Sequence, residues 1–275
     1  MGRAAPRRGS GPCRMNDPRE IWARLAGLTP ARIGLGRAGS GLPTREVLRF
    51  GLDHAQARDA VHAPMNAAAL AGSIAALGFA TIPVASQAPD RATYLRRPDL
   101  GRRLDPADMS KLQAAAEPSD LALVVADGLS ARAVHENAAP LLKAFKPLAE
   151  TSGWRLAPVV IASQARVALG DAIGEAVKTR AVAVLIGERP GLSSPDSLGI
   201  YLTFGPHIGR LDAERNCISN VRAAGLTHEK AAFKLHWLLA RALTLGLSGV
   251  MLKDESDRAL ESGVSATALP EPSRG

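Results

Sequence analysis

Three short apolar runs each end on polar residues with small neighbours, the pattern a ligand site at the end of a strand would leave. LALVVA (121–126) runs into ADGLSAR, which sets Asp127 and Gly128 at its exit and Ser130 at a helix start. APVVIA (157–162) runs into SQARVALGD, where Arg166 and Val167 open the next helical stretch. AVAVLI (181–186) runs into GERPGLSSPDS, with Glu188 and Arg189 in a loop rich in Gly, Pro and Ser. A fourth string, ERNCISN, holds Cys217 between polar residues and reads as a loop, having neither helical nor strand periodicity. Cys217 is open to two readings, a small buried hydrophobe or a functional residue, and Glu188 with Arg189 also reads as a solvated charged turn.

Other chemistries find less support. No GxxxxGK[ST], GxSxG, HExxH or EF-hand string occurs. GLGRAG places Gly34, Gly36 and Gly39 at dinucleotide-fingerprint spacing, but only the short ARI precedes it and SGLPTRE follows, so a loop that positions backbone against a partner is the better reading. The histidines, among them His54, His135 and His236, never stand three or four apart, so no metal site is indicated and each reads as a structural or surface residue. Cys13 and Cys217 form no CxxC pair and no disulfide framework, and a reducing cytoplasm is the default compartment.

The elements that must position these residues follow from hydrophobic period. The three Val-rich runs suit strands buried on both faces, and the stretches between them, LSARAVHENAAPLLKAFKPLAETSG and QARVALGDAIGEAVKT, have helical period. Strand, helix, strand, helix, strand is the order of a parallel α/β sheet; SLGIYLTF and the amphipathic THEKAAFKLHWLLARALTLG complete it. In such sheets ligands sit beyond the carboxyl ends of the strands, which selects the exits named above. Upstream, TREVLRFGLDHAQARDAV places Val47, Leu48, Leu52 and Ala55 on one side of a helix, and MNAAALAGSIAALG is a second helix ending at Gly78. Residues 60–89 carry no Asp, Glu, Lys or Arg, yet Pro64, Asn66, Pro83 and Gln87 make them a buried helix and strand rather than a membrane span.

The expected fold class is therefore α/β, a helical N-terminal domain followed by a Rossmann-like, mostly parallel α/β C-terminal domain. The expected bounds are a disordered basic tail over 1–20, the helical domain over 21–104, the α/β domain over 105–257 and a loose tail over 258–275. The junction near Leu104 follows DRATYLRRPDLGRRL, whose Pro and Gly mark an irregular connection. With 275 residues, 46% hydrophobic and 22% charged, the chain has room for two cores. Its net charge of +8 raises a nucleic-acid partner, the competing reading, but no basic-aromatic interleaving suited to base stacking accompanies it.

From about Ala31 to Asp254 the chain resembles the small (light) subunit of ethanolamine ammonia-lyase, the adenosylcobalamin-dependent enzyme that converts ethanolamine to acetaldehyde and ammonia. RIGLGRAGSGLPTREVLRFGLDHAQARDAV, YLRRPDLGRRL, VVADGLSARAV, RVALGDAIGE, LIGERPGL, RNCISN and a terminal SGV carry the resemblance. It implies a hetero-oligomer, six of each chain, in which a barrel-type large subunit holds the substrate and the radical-forming face of adenosylcobalamin. This chain would hold cobalamin at the interface, with contacts at Val167, Glu188 and Cys217 and no residue acting as acid, base or nucleophile. Val167 would give backbone groups and apolar contact, Glu188 would accept from an amide or the nucleotide ribose, and Cys217 would pack. The DxHxxG string that supplies a histidine to cobalt elsewhere is missing, which implies that the cofactor's own dimethylbenzimidazole stays as lower ligand. Residues 1–26 match little of the family, and the resemblance implies a cytoplasmic enzyme, free or within a bacterial microcompartment; nucleic acid and membrane are not expected partners.

Overall fold

The Val-rich runs form strands because β-branched side chains pack well on a sheet covered on both faces. The computed structural model describes residues 18–29 and 31–261. The tail through residue 17, Cys13 with it, and the residues beyond 261 lie outside the described residues. Helix α1 (Pro18–Ala26) starts within the expected N-terminal tail, and α9 (Ser256–Glu261) continues past the expected end of the α/β domain at Asp257.

The chain divides into two compact units, 1–53 and 54–275, and helix α2 (Thr44–His62) runs through the division. In the first unit Gly34, Gly36 and Gly39 have φ of +64°, +75° and +62°, a region that favours glycine. Gly34 packs so closely on Trp22 that an added Cβ would lie 2.8 Å from its Cβ. The first strand among the described residues begins only at Thr81, so GLGRAG lacks the strand that a dinucleotide fingerprint needs. The apolar side expected of α2 is present but uncovered: Val47, Leu48 and Leu52 are exposed.

The second unit is a mixed α/β structure around a six-stranded, mostly parallel sheet. Its strands are β1 (Thr81–Ala85), β2 (Ser119–Ala126), β3 (Val159–Ser163), β4 (Thr179–Gly187), β5 (Leu198–Phe204) and β6 (Arg215–Val221), in the order β1-β3-β2-β4-β5-β6. The first four are mutually parallel; β5 is antiparallel to β4, and β6 to β5. Successive residues of β2 alternate between faces. Leu121, Leu123 and Val125 pack with helices α3 (Ala67–Ala75), α6 (Ala131–Thr151) and α8 (His228–Leu245), while Ala122, Val124 and Ala126 pack with α5 (Pro106–Ala114) and α7 (Leu169–Ala176). The charge-poor stretch 60–89 is indeed α3 followed by β1, and among the described residues no helix is long and apolar enough to cross a membrane.

Two expectations need correction. ERNCISN is not a loop: it supplies most of edge strand β6, whose inward positions include Arg215 as well as Ile218 and Val221, so its burial pattern carries no apolar alternation to read. The helix expected over 164–179 is shorter, because 164–168 form a turn in which Gln164 has φ +54°. β1, upstream of Leu104, pairs with β3 from Thr81↔Val159 to Ala85↔Ser163. β1 is an edge strand, with Pro83 exposed, the Ala85 N–H donating to Asp108 Oδ2 at 2.8 Å and the Ala85 carbonyl accepting from the Asp105 N–H at 3.0 Å.

Behind the sheet, His236 is buried on α8, its Nε2 2.7 Å from the Ser152 hydroxyl and its Nδ1 without a partner. Burial holds its pKa down to about 4, against 6.5 for the free side chain. The native state thus refuses a proton that the unfolded chain accepts below pH 6.5. Stability present above that pH is expected to fall as pH drops from 6.5 toward 4, by about 3 kcal/mol in all. Urea unfolding of His236→Gln across this range should show the slope flattened relative to wild type; equal slopes would refute the assignment.

Candidate functional site

The strand exits meet at two adjoining cavities. One, of about 370 Å³, is lined by residues that include Arg102, Arg166, Val167, Tyr201, Asp212 and Cys217; the other, of about 420 Å³, includes Leu129, Arg166, Val167, Ile186, Glu188 and Tyr201. Arg166, Val167 and Tyr201 belong to both and form their common wall. The structure therefore brings all three expected site residues to one two-lobed cleft: Val167 in both lobes, Glu188 in the second and Cys217 in the first. Among the described residues no histidine lines either lobe.

Close backbone packing builds the floor. Gly128, after β2, has φ +53°, and a Cβ on it would overlap the Gly187 carbonyl oxygen and the Ile186 side chain at the end of β4. The Leu129 N–H donates to that same Gly187 oxygen at 2.9 Å. Ser130 caps α6 as expected, accepting from the Ala133 N–H at 3.2 Å, and its hydroxyl donates to the Pro195 carbonyl at 2.8 Å. Asp127 is buried and organises the neighbouring exit: its carboxylate accepts from the N–H groups of Gln164 and Ala165, both at 3.0 Å, and pairs with Arg91 at 3.4 Å. Burial pushes the Asp127 pKa up against the pull of these donors. Asp127 thus holds the 164–168 turn rather than meeting a ligand.

Arg166 is fixed from several sides. Its N–H donates to the Gly101 carbonyl at 2.8 Å, and its guanidinium lies 4.4 Å over the Tyr94 ring. Arg91 lies over the same ring at 4.9 Å, and the Tyr94 hydroxyl donates to the Ala165 carbonyl at 3.0 Å. Gly101 leaves room for this stack, since a Cβ there would be 2.8 Å from the Tyr94 ring and 3.0 Å from Arg166 Cγ. YLRRPDLGRRL, which reads as a mere junction, is thus a wall of the site, and its arginines are partly committed: Arg97 is held by Asp99 at 2.8 Å.

Glu188 is oriented by two donors on one oxygen. Its Oε2 accepts from the Ser197 hydroxyl and, at 3.3 Å, from the Asn220 N–H, while Oε1 takes no hydrogen bond from the described residues. Gly199 makes space for it, because a Cβ there would approach Oε1 to 2.9 Å. Cys217 is exposed, its Sγ 3.2 Å from the Ser219 hydroxyl, and faces Tyr201 across the β5–β6 register. Burial, with Cys217 and Glu188 beside it, pushes the Tyr201 phenol up, so it stays a neutral wall residue. Sequence reasoning missed Tyr201, Tyr94, Arg102 and the buried pair Asp171–Arg215. The family strings YLRRPDLGRRL, RVALGDAIGE and RNCISN contain Tyr94, Arg102, Asp171 and Arg215 and offered the signal for them; Tyr201 lies in none of these strings.

A mixed α/β sheet whose strand ends open on a cleft with both apolar and charged walls is the class of structure defined here, and such clefts are where open α/β sheets place their ligands. The family model for the ethanolamine ammonia-lyase light chain (EutC) matches residues 19–253, and the chain belongs to this family. It is 54% identical over 247 residues to the ethanolamine ammonia-lyase small subunit of Xanthomonas campestris pv. campestris strain ATCC 33913, covering 88% of this chain and 91% of that one. It is 53% identical over 257 residues to the protein of the same name from Bradyrhizobium diazoefficiens, covering 92% and 98%.

Proposed function

We propose that this chain is the small subunit of an adenosylcobalamin-dependent ethanolamine ammonia-lyase and holds cobalamin against a large catalytic subunit. The observation that carries the reading is the gathering of Val167, Glu188 and Cys217 on one cleft, with Val167 shared by its two lobes. The residues present fit such a group. Cobalamin has apolar corrin faces fringed by amides and a nucleotide tail; Val167, Leu129, Ile186 and Tyr201 offer apolar contact, and Glu188 Oε1 is an acceptor free to take an amide or ribose hydrogen. Each lobe is smaller than the cofactor, which suits a chain that encloses only one side of it.

When bound, adenosylcobalamin supplies a carbon-centred radical by homolysis of its cobalt–carbon bond. This chain's residues bind and orient: Glu188 is aimed by Ser197 and Asn220, Val167 packs at the start of α7, and Cys217 closes the first lobe from β6. None is required as acid, base or nucleophile. The exposed Val47, Leu48 and Leu52 of α2 suit coverage by a partner chain, as expected of a subunit.

Glu188→Ala is expected to weaken cobalamin binding by the two-subunit complex about tenfold, the loss of one hydrogen bond to a charged acceptor, and to leave the KM for ethanolamine within about twofold of wild type. Equilibrium dialysis with hydroxocobalamin measures the first and steady-state kinetics the second. Cobalamin affinity within twofold of wild type would remove Glu188 from the site.

A further inference from the structure

We infer that an apolar knuckle made by Leu211, Val250 and Met251, with Ile208 on the same loop as Leu211, is a seat on which the large subunit docks beside the first lobe of the cleft. The inference rests on the proposed pairing of this chain with a large subunit. The four side chains are 67–79% exposed. Scattered singly they would need no explanation, but here the backbone gathers them. Gly249 has φ +79°, and a Cβ on it would lie 2.1 Å from the Ala213 carbonyl oxygen and 2.5 Å from Glu214 Cα. The single turn Gly249–Met251 is thereby pressed onto the single turn Asp212–Glu214, which follows Leu211 directly. The Ser248 hydroxyl locks this contact, donating to the Glu214 carbonyl at 2.5 Å and accepting from the Phe204 N–H at 2.9 Å. The Gly249 N–H donates to Asn216 Oδ1 at 2.8 Å, and Leu252 is buried in the core just beyond, so Val250 and Met251 stand outside a fixed turn. The SGV string, to which the cofactor reading gives no part, thus builds the knuckle.

The loop carrying Ile208 and Leu211 is set as firmly. The Arg210 guanidinium donates to the Gly205 and Phe204 carbonyls at 3.0 and 3.1 Å and pairs with Glu214. The Leu211 N–H donates to Glu214 Oε2 at 2.7 Å and the Ile208 N–H to Glu175 Oε2 at 3.1 Å. These polar groups are satisfied within the chain while the apolar side chains face outward. A surface ordered in advance loses little freedom on association, which is the property of an interface anchor.

What adjoins the knuckle selects its occupant. Four side chains are a small part of the roughly 20–30 residues that a stable interface takes from each side, so the partner reaches further. Asp212, next to Leu211, lines the first lobe, as does Arg215, which donates to the Arg210 carbonyl at 3.1 Å. Knuckle and lobe are therefore one continuous surface. Whatever seats on the first covers the rim of the second, and under the proposed reading that is the large subunit, apolar where it meets Val250 and Met251.

Sedimentation velocity on a dilution series of the two-subunit complex measures how tightly the chains hold together. Replacing Val250 and Met251 together by Ser is expected to raise the dissociation constant about thirtyfold and Leu211→Ser about tenfold, while Met251→Leu, which keeps the apolar side chain, should change it less than threefold. Urea midpoints of the full chain should stay at the wild-type value, because the replaced side chains are exposed. A midpoint lowered in every Ser variant would make these side chains part of the fold and overturn the seat. Dissociation constants within threefold of wild type for both Ser variants overturn it as well. Self-association of the small subunit that the Ser variants abolish, with affinity for the large subunit unchanged, assigns the patch to a second copy of this chain and likewise overturns the proposal. Equilibrium dialysis with hydroxocobalamin separates the two readings: a complex that assembles through the knuckle but holds no corrinoid refutes the cofactor reading and leaves the seat standing.

Discussion

Replacing Arg215 by Met will lower the unfolding free energy by about 3–5 kcal/mol, and replacing Asp171 by Leu in the same chain will restore most of it. The Arg215 guanidinium donates to both Asp171 oxygens at 2.6 and 2.7 Å, and both side chains are only 2% exposed. Further bonds run from it to the Thr203 hydroxyl at 2.9 Å and the Arg210 carbonyl at 3.1 Å. Removing the cation leaves the Asp171 carboxylate buried without its charge partner, which is worse than removing both charges together. Asp171 lies in the first turn of α7 and Arg215 begins β6, so the pair ties the segment bearing Val167 to the strand bearing Cys217. The single variant should therefore also lose cobalamin binding in the complex. Urea unfolding of the two single variants and the double variant measures the coupling, and a single-variant loss below about 1 kcal/mol would show that the pair is not the tie described.

Gly128→Ala is expected to destabilise by about 3 kcal/mol or more, from two separable causes. A left-handed backbone at a residue with a Cβ costs about 1–2 kcal/mol. The added methyl would also overlap the Gly187 carbonyl oxygen, forcing the ends of β2 and β4 apart at a further cost of about 1–3 kcal/mol. Gly153 separates the two: its φ is +67°, yet no atom lies within 4 Å of a Cβ built on it. Gly153→Ala should thus lose only about 1 kcal/mol. Equal losses at both positions in thermal or urea unfolding would mean that the crossing at Gly187 is looser than described.

Much of this frame was legible in the sequence. The runs at 121–126, 157–162 and 181–186 are nearly unbroken in Ala, Val, Leu and Ile, and a strand covered on both faces leaves that mark. Ser130 is a capping residue in a capping position. β6 was illegible because its buried first residue is an arginine whose partner lies 44 positions away, a pairing that only the folded chain reveals. The direction of β5 was hidden in loop length: 188–197 contains no helix for a parallel crossover, so the chain turns back antiparallel. The uncovered side of α2 has the period of a buried face, and period alone does not say which molecule buries it. Asp127 shows a further limit, since a strand-exit carboxylate can look poised for a ligand and instead bind its own backbone.

The edge strand β1 also bears on how the protein behaves when concentrated. Side alternates along a strand, and the Ser86 N–H, which donates to Ser163 of β3, fixes which side is outward: that of Ala85 and Pro83. On this outer edge both backbone groups of Ala85 are taken by Asp108 and Asp105, and Pro83 has no N–H to offer. An incoming strand finds almost no ladder to extend there. At the opposite edge Asn216 of β6 holds the 249–252 turn through the Gly249 and Leu252 carbonyls at 3.2 and 2.8 Å. A sheet stopped in this way resists edge-to-edge aggregation, leaving the chain free to assemble through its uncovered helical surface.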